Sequence, residues 1–335
     1  MKFNEEEYKT FQFWFDEVWQ DDDTLVALLE AKIKDSVYDA TSWEYEKGVY
    51  LSGGLDSSII ALLASRFCNL IAFHGHYKEE GYSEEEYAEA VASRCGINLV
   101  KVLIEPSDVV ENLANIIRIL GYPMMGPGVI GQYVVAREAS KHVKVVLSGE
   151  GGDELFGGYS RYYHCKTVQQ YYDSLRRDGK VAGKKCYHKF LYKFFQETEN
   201  KSFLEKMMDF DLRYSLPFLL YIDKKVNKHF GLYTEAPFMS PSVVHYARRL
   251  RAERRTKGGP KGLLKEMFGT YLPEEVLNRK DKMGFPIPFV EWAKTDLRDW
   301  VKDILGSGVE KVIDAETKYG RKLWGMLCLE LWRNI

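Results

Sequence analysis

The sequence is poor in cysteine and contains no paired cysteines. Its 335 residues include five cysteines, an odd number, and no two of them are spaced as CxxC. A disulfide framework and a structural zinc site both depend on paired, suitably spaced cysteines. The sequence therefore argues against both kinds of site and predicts free thiols in a cytoplasmic protein.

Long apolar runs and a strong charge of one sign are also missing. No stretch approaches the roughly 18 apolar residues of a membrane-spanning helix, and the first residues lack the basic start and apolar core of a signal peptide. The net charge of −2 argues against general attraction to nucleic acid or membranes. Apolar residues make up 45% of the chain, which is enough for a substantial core.

Apolar runs and helical patterns alternate from residue 48 onwards, as in proteins with a parallel sheet. The strand-like runs cover 49–52, 70–73, 99–104 and 143–148. Helical patterns fill 56–67, 83–95, 108–119 and 129–141, and one more precedes them at 24–38. This order predicts the α/β class, with a parallel twisted sheet covered by helices on both faces.

Residues after 160 show helical spacing and no strand alternation, which predicts a C-terminal α-helical lobe. We expect three parts along the chain: an aromatic arm with a helix in residues 1–45, the sheet domain in 46–165, and the helical lobe in 166–335. The aromatic arm is compatible with a homodimer or with a contact to a separate glutaminase.

The first strong motif is the segment Ser52-Gly53-Gly54-Leu55-Asp56-Ser57-Ser58, which follows the first apolar run. The glycines allow a tight turn and a close approach of the backbone to a ligand. The N–H groups at the start of the next helix favour an anion, and a carboxylate there can hold a divalent cation against phosphate oxygens. The segment therefore predicts a site for the phosphates of a nucleotide.

The second motif runs from Ser148 to Tyr159 and follows the fourth apolar run. It places the carboxylates of Glu150, Asp153 and Glu154 among five glycines. Carboxylates so close together repel one another unless a cation or polar substrate lies between them. Since ligands bind at the carboxyl ends of parallel strands, both motifs are expected at one edge of the sheet.

Together the two motifs resemble the synthetase domain of glutamine-hydrolysing asparagine synthetases, members of the PP-loop ATP pyrophosphatase superfamily. Further segments resemble that domain in the same order: Tyr87-Ala88, Leu272-Pro273-Glu274-Glu275 and Arg279 to Phe285. The resemblance implies an amide ligase that forms AMP and pyrophosphate. A small carboxylate such as aspartate would be adenylated by ATP with Mg²⁺, and ammonia or another amine would displace AMP.

The resemblance also implies a role for individual residues. Catalysis would fall to Glu150, Lys282, Asp56 and Asp153, of which Asp56 and Asp153 would also bind the magnesium. ATP would be bound by Leu51, Ser52, Gly53, Gly54, Asp56, Ser57, Ser58, Phe73, His74, Ser148, Gly149 and Lys261. The substrate would contact Gly151, Gly152, Glu84 and Tyr159.

The chain departs from the family in two regions: the N-terminal region, where the family has the domain that supplies nitrogen, and the segments that would bind the acceptor. Position 2 is Lys2 and only about fifty residues precede the first motif, so we expect no glutaminase domain. Free ammonia or a separate glutaminase subunit would then supply nitrogen. Gly121-Tyr122-Pro123 stands where the family has Asp-Glu-Pro, and Glu235 stands where it has an arginine. A charge reversal of this kind is not conservative.

These departures leave alternatives open. One is amide ligation or ring closure on a pathway-specific substrate, as in relatives that form β-lactams or lasso peptides. Another is a PP-loop enzyme that modifies tRNA, which the basic segment 248–265 would fit and the mild net charge opposes. A third is a non-enzymatic subunit that binds a nucleotide and a glutaminase, which the intact acidic motifs oppose.

Overall fold

The structure is a computed structural model that describes residues 21–123, 126–177, 185–198, 200–279, 287–316 and 320–335. Its centre is a sheet of five strands. These are β1 (Lys47–Tyr50), β2 (Leu70–His76), β3 (Asn98–Leu103), β4 (Val145–Leu147) and β5 (Tyr233–Glu235). Their order across the sheet is β3-β2-β1-β4-β5, and every neighbouring pair is parallel.

The central strands have apolar side chains on both faces, which is why they read as short continuous apolar runs. In β4, Val145 and Leu147 pack into the core on one face, and Val146 packs into the core on the other. Val49 of β1 pairs with Leu147, so the two strands end side by side. The loops that follow them therefore meet at one edge of the sheet.

Helices cover both faces. In the first half of the chain they are α1 (Asp22–Thr41), α2 (Leu55–Ala64), α3 (Glu85–Cys95), α4 (Pro106–Leu120) and α5 (Val129–Ala139). The core beneath α1, α2 and α3 is separate from the core beneath α4 and α5. The prediction of a parallel sheet between two helical layers is confirmed.

Short helices dominate the second half of the described chain. Those before β5 are α6 (Gly152–Phe156), α7 (Arg161–His164), α8 (Val168–Arg177), α9 (Lys185–Glu197), α10 (Phe203–Phe210) and α11 (Leu216–His229). Those after it are α12 (Pro241–Arg249), α13 (Ala252–Arg255), α14 (Gly262–Phe268), α15 (Glu274–Leu277), α16 (Phe289–Lys294), α17 (Arg298–Leu305), α18 (Glu310–Ala315) and α19 (Arg321–Arg333). Helix α11 packs against α4 and α5, and α19 packs against α4.

A buried ion pair links α7, which begins with Arg161, to the segment between α10 and α11, which begins with Asp211. A single turn of π-helix, Asp211–Ser215, links α10 to α11. The Asp211 carboxylate accepts hydrogen bonds from Arg161, at 2.7 and 2.9 Å, and from the Tyr162 hydroxyl, at 2.8 Å. Both charged side chains are buried, so each depends on the other for compensation.

The sequence analysis missed β5. This strand has only three residues and lies in the segment that we predicted to be helical. Its strand conformation depends on pairing with β4, where Tyr233 lies opposite Val145. The proposed division at residues 45 and 165 stays a prediction, and the aromatic arm before residue 21 lies outside the described residues.

Candidate active site

A cleft of about 340 Å³ opens at the carboxyl ends of β1 and β4. From β1 the chain builds the sheet towards β3, and it then returns to place β4 on the other side of β1. Loops diverge at such a reversal and leave a crevice, which is where open α/β sheets bind ligands. Twenty-two residues line the cleft: Tyr50, Leu51, Ser52, Gly54, Asp56, Ser57, Phe73, His74, Gly75, Glu84, Gln132, Val135, Ser148, Gly149, Glu150, Gly151, Asp153, Glu154, Tyr159, Leu219, Asp223 and Asn227.

The loop after β1 is held by its own serines. The hydroxyls of Ser57 and Ser58 donate to the Gly54 carbonyl at 3.0 and 2.8 Å, and the Ser52 hydroxyl lies 3.1 Å from that of Ser57. Gly53 has a positive φ of 72°, and a Cβ there would lie 2.5 Å from the Tyr87 Cβ. The turn is therefore fixed before any ligand binds.

The loop after β4 packs directly on the first loop. A Cβ on Gly149 would lie 2.8 Å from the Ser57 nitrogen, and a Cβ on Gly152 would lie 2.5 Å from the Asp56 Cγ. Neither position has room for a side chain. Glycine is needed at 149 because the two backbones touch, and at 152 because the backbone there touches the Asp56 carboxylate.

A buried ammonium group lies between the two loops. Lys261 Nζ is 2.6 Å from Asp153 Oδ1 and also contacts Asp56 Oδ2. Burial alone would lower the pKa of Lys261, but the charges of Asp153 and Asp56 raise it above its ordinary value. The lysine therefore stays protonated and compensates both carboxylates.

The same two carboxylates fit a magnesium ion. Asp56 and Asp153 come from different strand ends and converge on one cation position. Mg²⁺ is commonly held by one or two carboxylates together with substrate phosphates. Within the described residues no group of three or more His, Cys, Asp or Glu side chains forms a metal site, so further ligands would have to come from a substrate or from water.

Two further carboxylates face the cleft without a cation. Burial, followed by the charges of Glu154 and Asp223, raises the pKa of Glu150 to about 8. Burial raises the pKa of Asp223 to about 7. In the part of the chain that the structure describes, no lysine, arginine or histidine is ion-paired with either carboxylate. This end of the cleft is therefore suited to a positively charged or proton-donating ligand.

Helix α11 supplies a second polar pair to this end of the cleft. Asn227 lies one turn after Asp223 and donates its amide to the Asp223 carboxylate at 2.9 Å. The Tyr50 hydroxyl donates to the Asn227 oxygen, which leaves the Asn227 amide group directed at Asp223. The side chain of Asp223 is thus held in place from β1.

Tyr159 links the cleft to the buried ion pair described above. Its hydroxyl donates to Glu154 at 2.7 Å, and the Arg161 guanidinium lies 3.7 Å from the centre of its ring. Arg161 is in turn fixed by Asp211. The wall of the cleft is therefore supported by an ion pair that does not itself line it.

Glu84, which directly precedes α3, also lines the cleft. Its carboxylate forms an ion pair with Arg279, whose guanidinium lies 4.2 Å from the centre of the Tyr87 ring. Arg279 directly precedes the segment 280–286, which contains Lys282. Lys282 lies outside the described residues, so its predicted catalytic role remains a prediction.

His74 and Ser148 each present an unused polar atom. His74 Nδ1 is 2.8 Å from the Leu51 carbonyl, which only accepts, so Nδ1 carries the proton and Nε2 is an acceptor. Burial lowers the pKa of His74, which keeps the ring neutral. Neither His74 Nε2 nor the Ser148 hydroxyl has a hydrogen-bond partner among the described residues. A ligand in the cleft could satisfy both.

The structure brings most of the predicted site residues together. Of the described ones, all line the cleft except Gly53, Ser58, Gly152 and Lys261. Gly53, Ser58 and Gly152 shape the two loops, and Lys261 contacts two of the lining carboxylates. The individual roles stay predictions.

Glu235 differs from its expected place. It does not line the cleft; its half-buried side chain lies beside Trp43, and its carbonyl accepts a hydrogen bond from the Ser148 nitrogen. The lining residues that the sequence analysis missed include Tyr50, Gln132, Asp223 and Asn227. Glu154 was noticed as part of the second motif but was given no role.

The basic segment 248–265 is compensated in part within the chain. Arg254 binds Glu266 through two hydrogen bonds, at 2.7 and 2.8 Å, and Arg255 donates to the Leu155 carbonyl. Arg248 lies 3.5 Å from Asp209. The contacts of Arg248 and Arg254 pair part of the positive charge with carboxylates of the same chain, which reduces the charge left for a nucleic-acid surface. No helix of the described chain is long and apolar enough to cross a membrane.

Comparison with known proteins relates the chain to one family. A family model described as "Asparagine synthase" matches residues 28–334. Asparagine synthetase [glutamine-hydrolyzing] 1 of Bacillus subtilis is 28% identical over 98% of this chain and 62% of its own length. Asparagine synthetase B [glutamine-hydrolyzing] of Escherichia coli is 25% identical over 80% of this chain and 46% of its own length. The chain therefore spans about three fifths or less of these relatives.

Among solved structures, the U34-tRNA thiolase NcsA from Methanococcus maripaludis with its [4Fe-4S] cluster is similar at 14% identity. The similarity covers 88% of this chain and 82% of that chain, with a TM-score of 0.39. No functional conclusion follows from a similarity at that level.

Proposed function

Because the chain belongs to the asparagine synthase family, we propose that it is an ATP-dependent amide ligase that releases AMP and pyrophosphate. The observation that carries this proposal is the pair of interlocked glycine loops at the reversal of strand order. They bring Asp56 and Asp153 to one cation position beside the fixed serine turn. Such a site suits the magnesium-bound phosphates of ATP.

The polar groups of the cleft divide into two regions. Ser52, Ser57 and the first turn of α2 would bind phosphate oxygens, and His74 would accept a hydrogen bond from a base that carries an amino group. Attack of a carboxylate on the α-phosphorus increases negative charge at the phosphates. The protein's contribution is to orient them and to stabilise that charge with Lys261. A bound divalent cation would supply further charge stabilisation.

Glu150 would handle the proton of the second half-reaction. When an amine attacks the acyl-adenylate, the adduct carries an extra proton that must leave before the amide forms. A general base works best when its pKa lies near the working pH, and the pKa of Glu150 is about 8. Glu150 belongs to the loop after β4 and lines the cleft together with Asp223 of α11, which supports a role where the two substrates would meet.

We further propose that the acceptor carries an ammonium group that binds Asp223. Buried carboxylates are normally paired with a cation or neutralised, and Asp223 has no ion-pair partner in the described chain. Aspartate has such a group, and so do many other amino acids. Aspartate is therefore the first candidate acceptor, with ammonia or a separate glutaminase subunit as the nitrogen source, and a pathway-specific amino-acid substrate is the second candidate.

The test is pyrophosphate release from MgATP and ammonium, with aspartate, other amino acids, their N-acetylated forms or no acceptor. We expect release with at least one acceptor that has a free amino group, and at least tenfold less with its N-acetylated form. Asp56→Asn and Asp153→Asn should abolish release. Normal release by both variants would contradict the assigned site, and equal use of N-acetylated acceptors would contradict the role of Asp223.

A further inference from the structure

The Lys261 side chain already occupies the position that suits a metal ion. Its Nζ is bonded to Asp153 at 2.6 Å and to Asp56, and the residue is 4% exposed. Asp56 and Asp153 are the two carboxylates that we assign to magnesium. The protein therefore holds a cation of its own where a second cation would have to enter.

The backbone at Lys261 has an unusual conformation, and the residue that faces its side chain is a glycine. Among the described residues, Lys261 is the one non-glycine residue with a positive φ, at 56°. That conformation is unfavourable for a residue with a Cβ. A Cβ on the facing Gly158 would lie 2.3 Å from the Lys261 Cε, so the lysine also needs a glycine opposite it.

The chain before Lys261 offers a hinge. Gly258 and Gly259 have φ values of 86° and 109°, and no atom lies within 4 Å of the place where a Cβ would stand on either. Two adjacent glycines in open space can change conformation at little steric cost. A change of conformation at these glycines would break the hydrogen bond from the Gly259 nitrogen to the Thr256 carbonyl and would let the Lys261 side chain leave the two carboxylates.

The balance of charge in the site determines when the Lys261 side chain can leave the two carboxylates. Two carboxylates and one ammonium carry a net charge of −1, and a divalent ion added beside the ammonium would make this +1 inside a buried site. Displacing the lysine instead would leave a buried ammonium without its partners, which is costly. A triphosphate removes the conflict, because it gives both cations anionic oxygens to bind.

We propose that Lys261 is an internal counter-ion that closes the metal position of the nucleotide-free protein, so that a divalent cation binds only together with a nucleoside triphosphate. The inference rests on the proposed function for the identity of the nucleotide. It adds that metal and nucleotide bind in a coupled manner, and that a side chain of this protein enforces the coupling.

Mn²⁺ alone is the probe, and the signal of free Mn²⁺ in electron paramagnetic resonance measures its binding. The unaltered protein should bind Mn²⁺ at least tenfold more weakly without nucleotide than with the non-hydrolysable α,β-methylene analogue of ATP. Lys261→Met should bind Mn²⁺ at least tenfold more tightly than the unaltered protein when nucleotide is absent. The double variant Lys261→Met/Asp56→Asn should lose that gain.

Lys265→Met is the matched control, because this partly exposed lysine lies one turn further along α14 and forms no ion pair in the described chain. It should behave like the unaltered protein, and Lys261→Arg should still exclude Mn²⁺. Equally tight Mn²⁺ binding by the unaltered protein with and without nucleotide would overturn the inference, and this comparison needs no variant. Binding of the ATP analogue, measured separately by calorimetry, distinguishes failure of the nucleotide site from failure of the lysine's role.

Discussion

Replacing Asp223 by asparagine should stabilise the protein at neutral and higher pH. Asp223 is 8% exposed, and its carboxylate faces the cleft with the Asn227 amide as its hydrogen-bond donor. Asparagine keeps the shape of the side chain and an oxygen for that hydrogen bond, but it cannot carry the buried negative charge. The substitution thus removes a destabilising charge with little change in packing.

The size of the effect follows from the pKa. Burial moves the pKa of Asp223 from 3.8 to about 7. Since one pKa unit corresponds to about 1.36 kcal/mol, the ionised carboxylate costs the folded state about 4 kcal/mol above pH 7. The unfolded chain already loses its proton near pH 4, so this cost develops between about pH 4 and pH 7 and is constant above that range.

The assay is thermal unfolding of the nucleotide-free protein at pH values from 4.5 to 8. With an unfolding entropy of about 2.1 cal/mol/K per residue, 4 kcal/mol corresponds to a rise in Tm of about 6 °C for a chain of this length. Asp223→Asn should approach that gain at pH 8 and lose most of it at pH 4.5. Asp303→Asn changes an exposed carboxylate of α17 that has no hydrogen bond or ion pair in the described chain, and should leave Tm unchanged. A gain of equal size at every pH would refute the reasoning, as would no gain at pH 8.

Three other substitutions test the contacts around the cleft. Gly152→Ala places a Cβ 2.5 Å from the Asp56 Cγ, and we expect it to lower the rate of pyrophosphate release about 100-fold while the fold is kept. Arg161→Met removes the guanidinium that forms an ion pair with the buried Asp211 carboxylate and should lower the free energy of unfolding by about 3–5 kcal/mol, measured by denaturant titration. Glu150→Gln should lower the rate of amide formation by about 10²–10⁴-fold and remove the rise of that rate as pH increases towards 8, because below this pH Glu150 is protonated and cannot accept a proton.

Each of these predictions has a matched control or a contrary outcome. Gly308→Ala adds a methyl group where no atom lies within 4 Å and should leave activity unchanged. Lys193→Met breaks an exposed ion pair with Glu197, which should cost less than about 1 kcal/mol. If Gly152→Ala and Gly308→Ala were equally active, the two loops would not need their close contact. If the Glu150→Gln enzyme kept the same pH profile, another group would handle the proton.

The sequence was most informative where local chemistry determines structure. Both glycine motifs lie at the same edge of the sheet, as expected, because apolar runs followed by glycine turns mark the ends of buried parallel strands. The layered α/β architecture was also predicted, since alternating strand and helix patterns allow few arrangements.

The sequence was least informative where distant segments meet. Strand β5 is too short to be recognised without its partner β4. Asp223 and Asn227 lie on one face of α11, but only the packing of that helix shows that the face borders the cleft. Glu235 was expected to alter the acceptor pocket, yet it lies beside Trp43, because its position on β5 sets the direction of its side chain.

The two regions of the cleft are formed by different kinds of element, and this affects which residues can be changed independently. The proposed nucleotide region is made by two sheet-edge loops that touch through Gly149 and Gly152, so a change in one loop demands a change in the other. The proposed acceptor region is made largely by side chains of α11 and α5, two helices that reach the cleft separately from the loops. Helix substitutions can therefore change the proposed acceptor region without altering the two loops, which makes Leu219, Asp223 and Gln132 the first positions to vary in a library that seeks altered specificity.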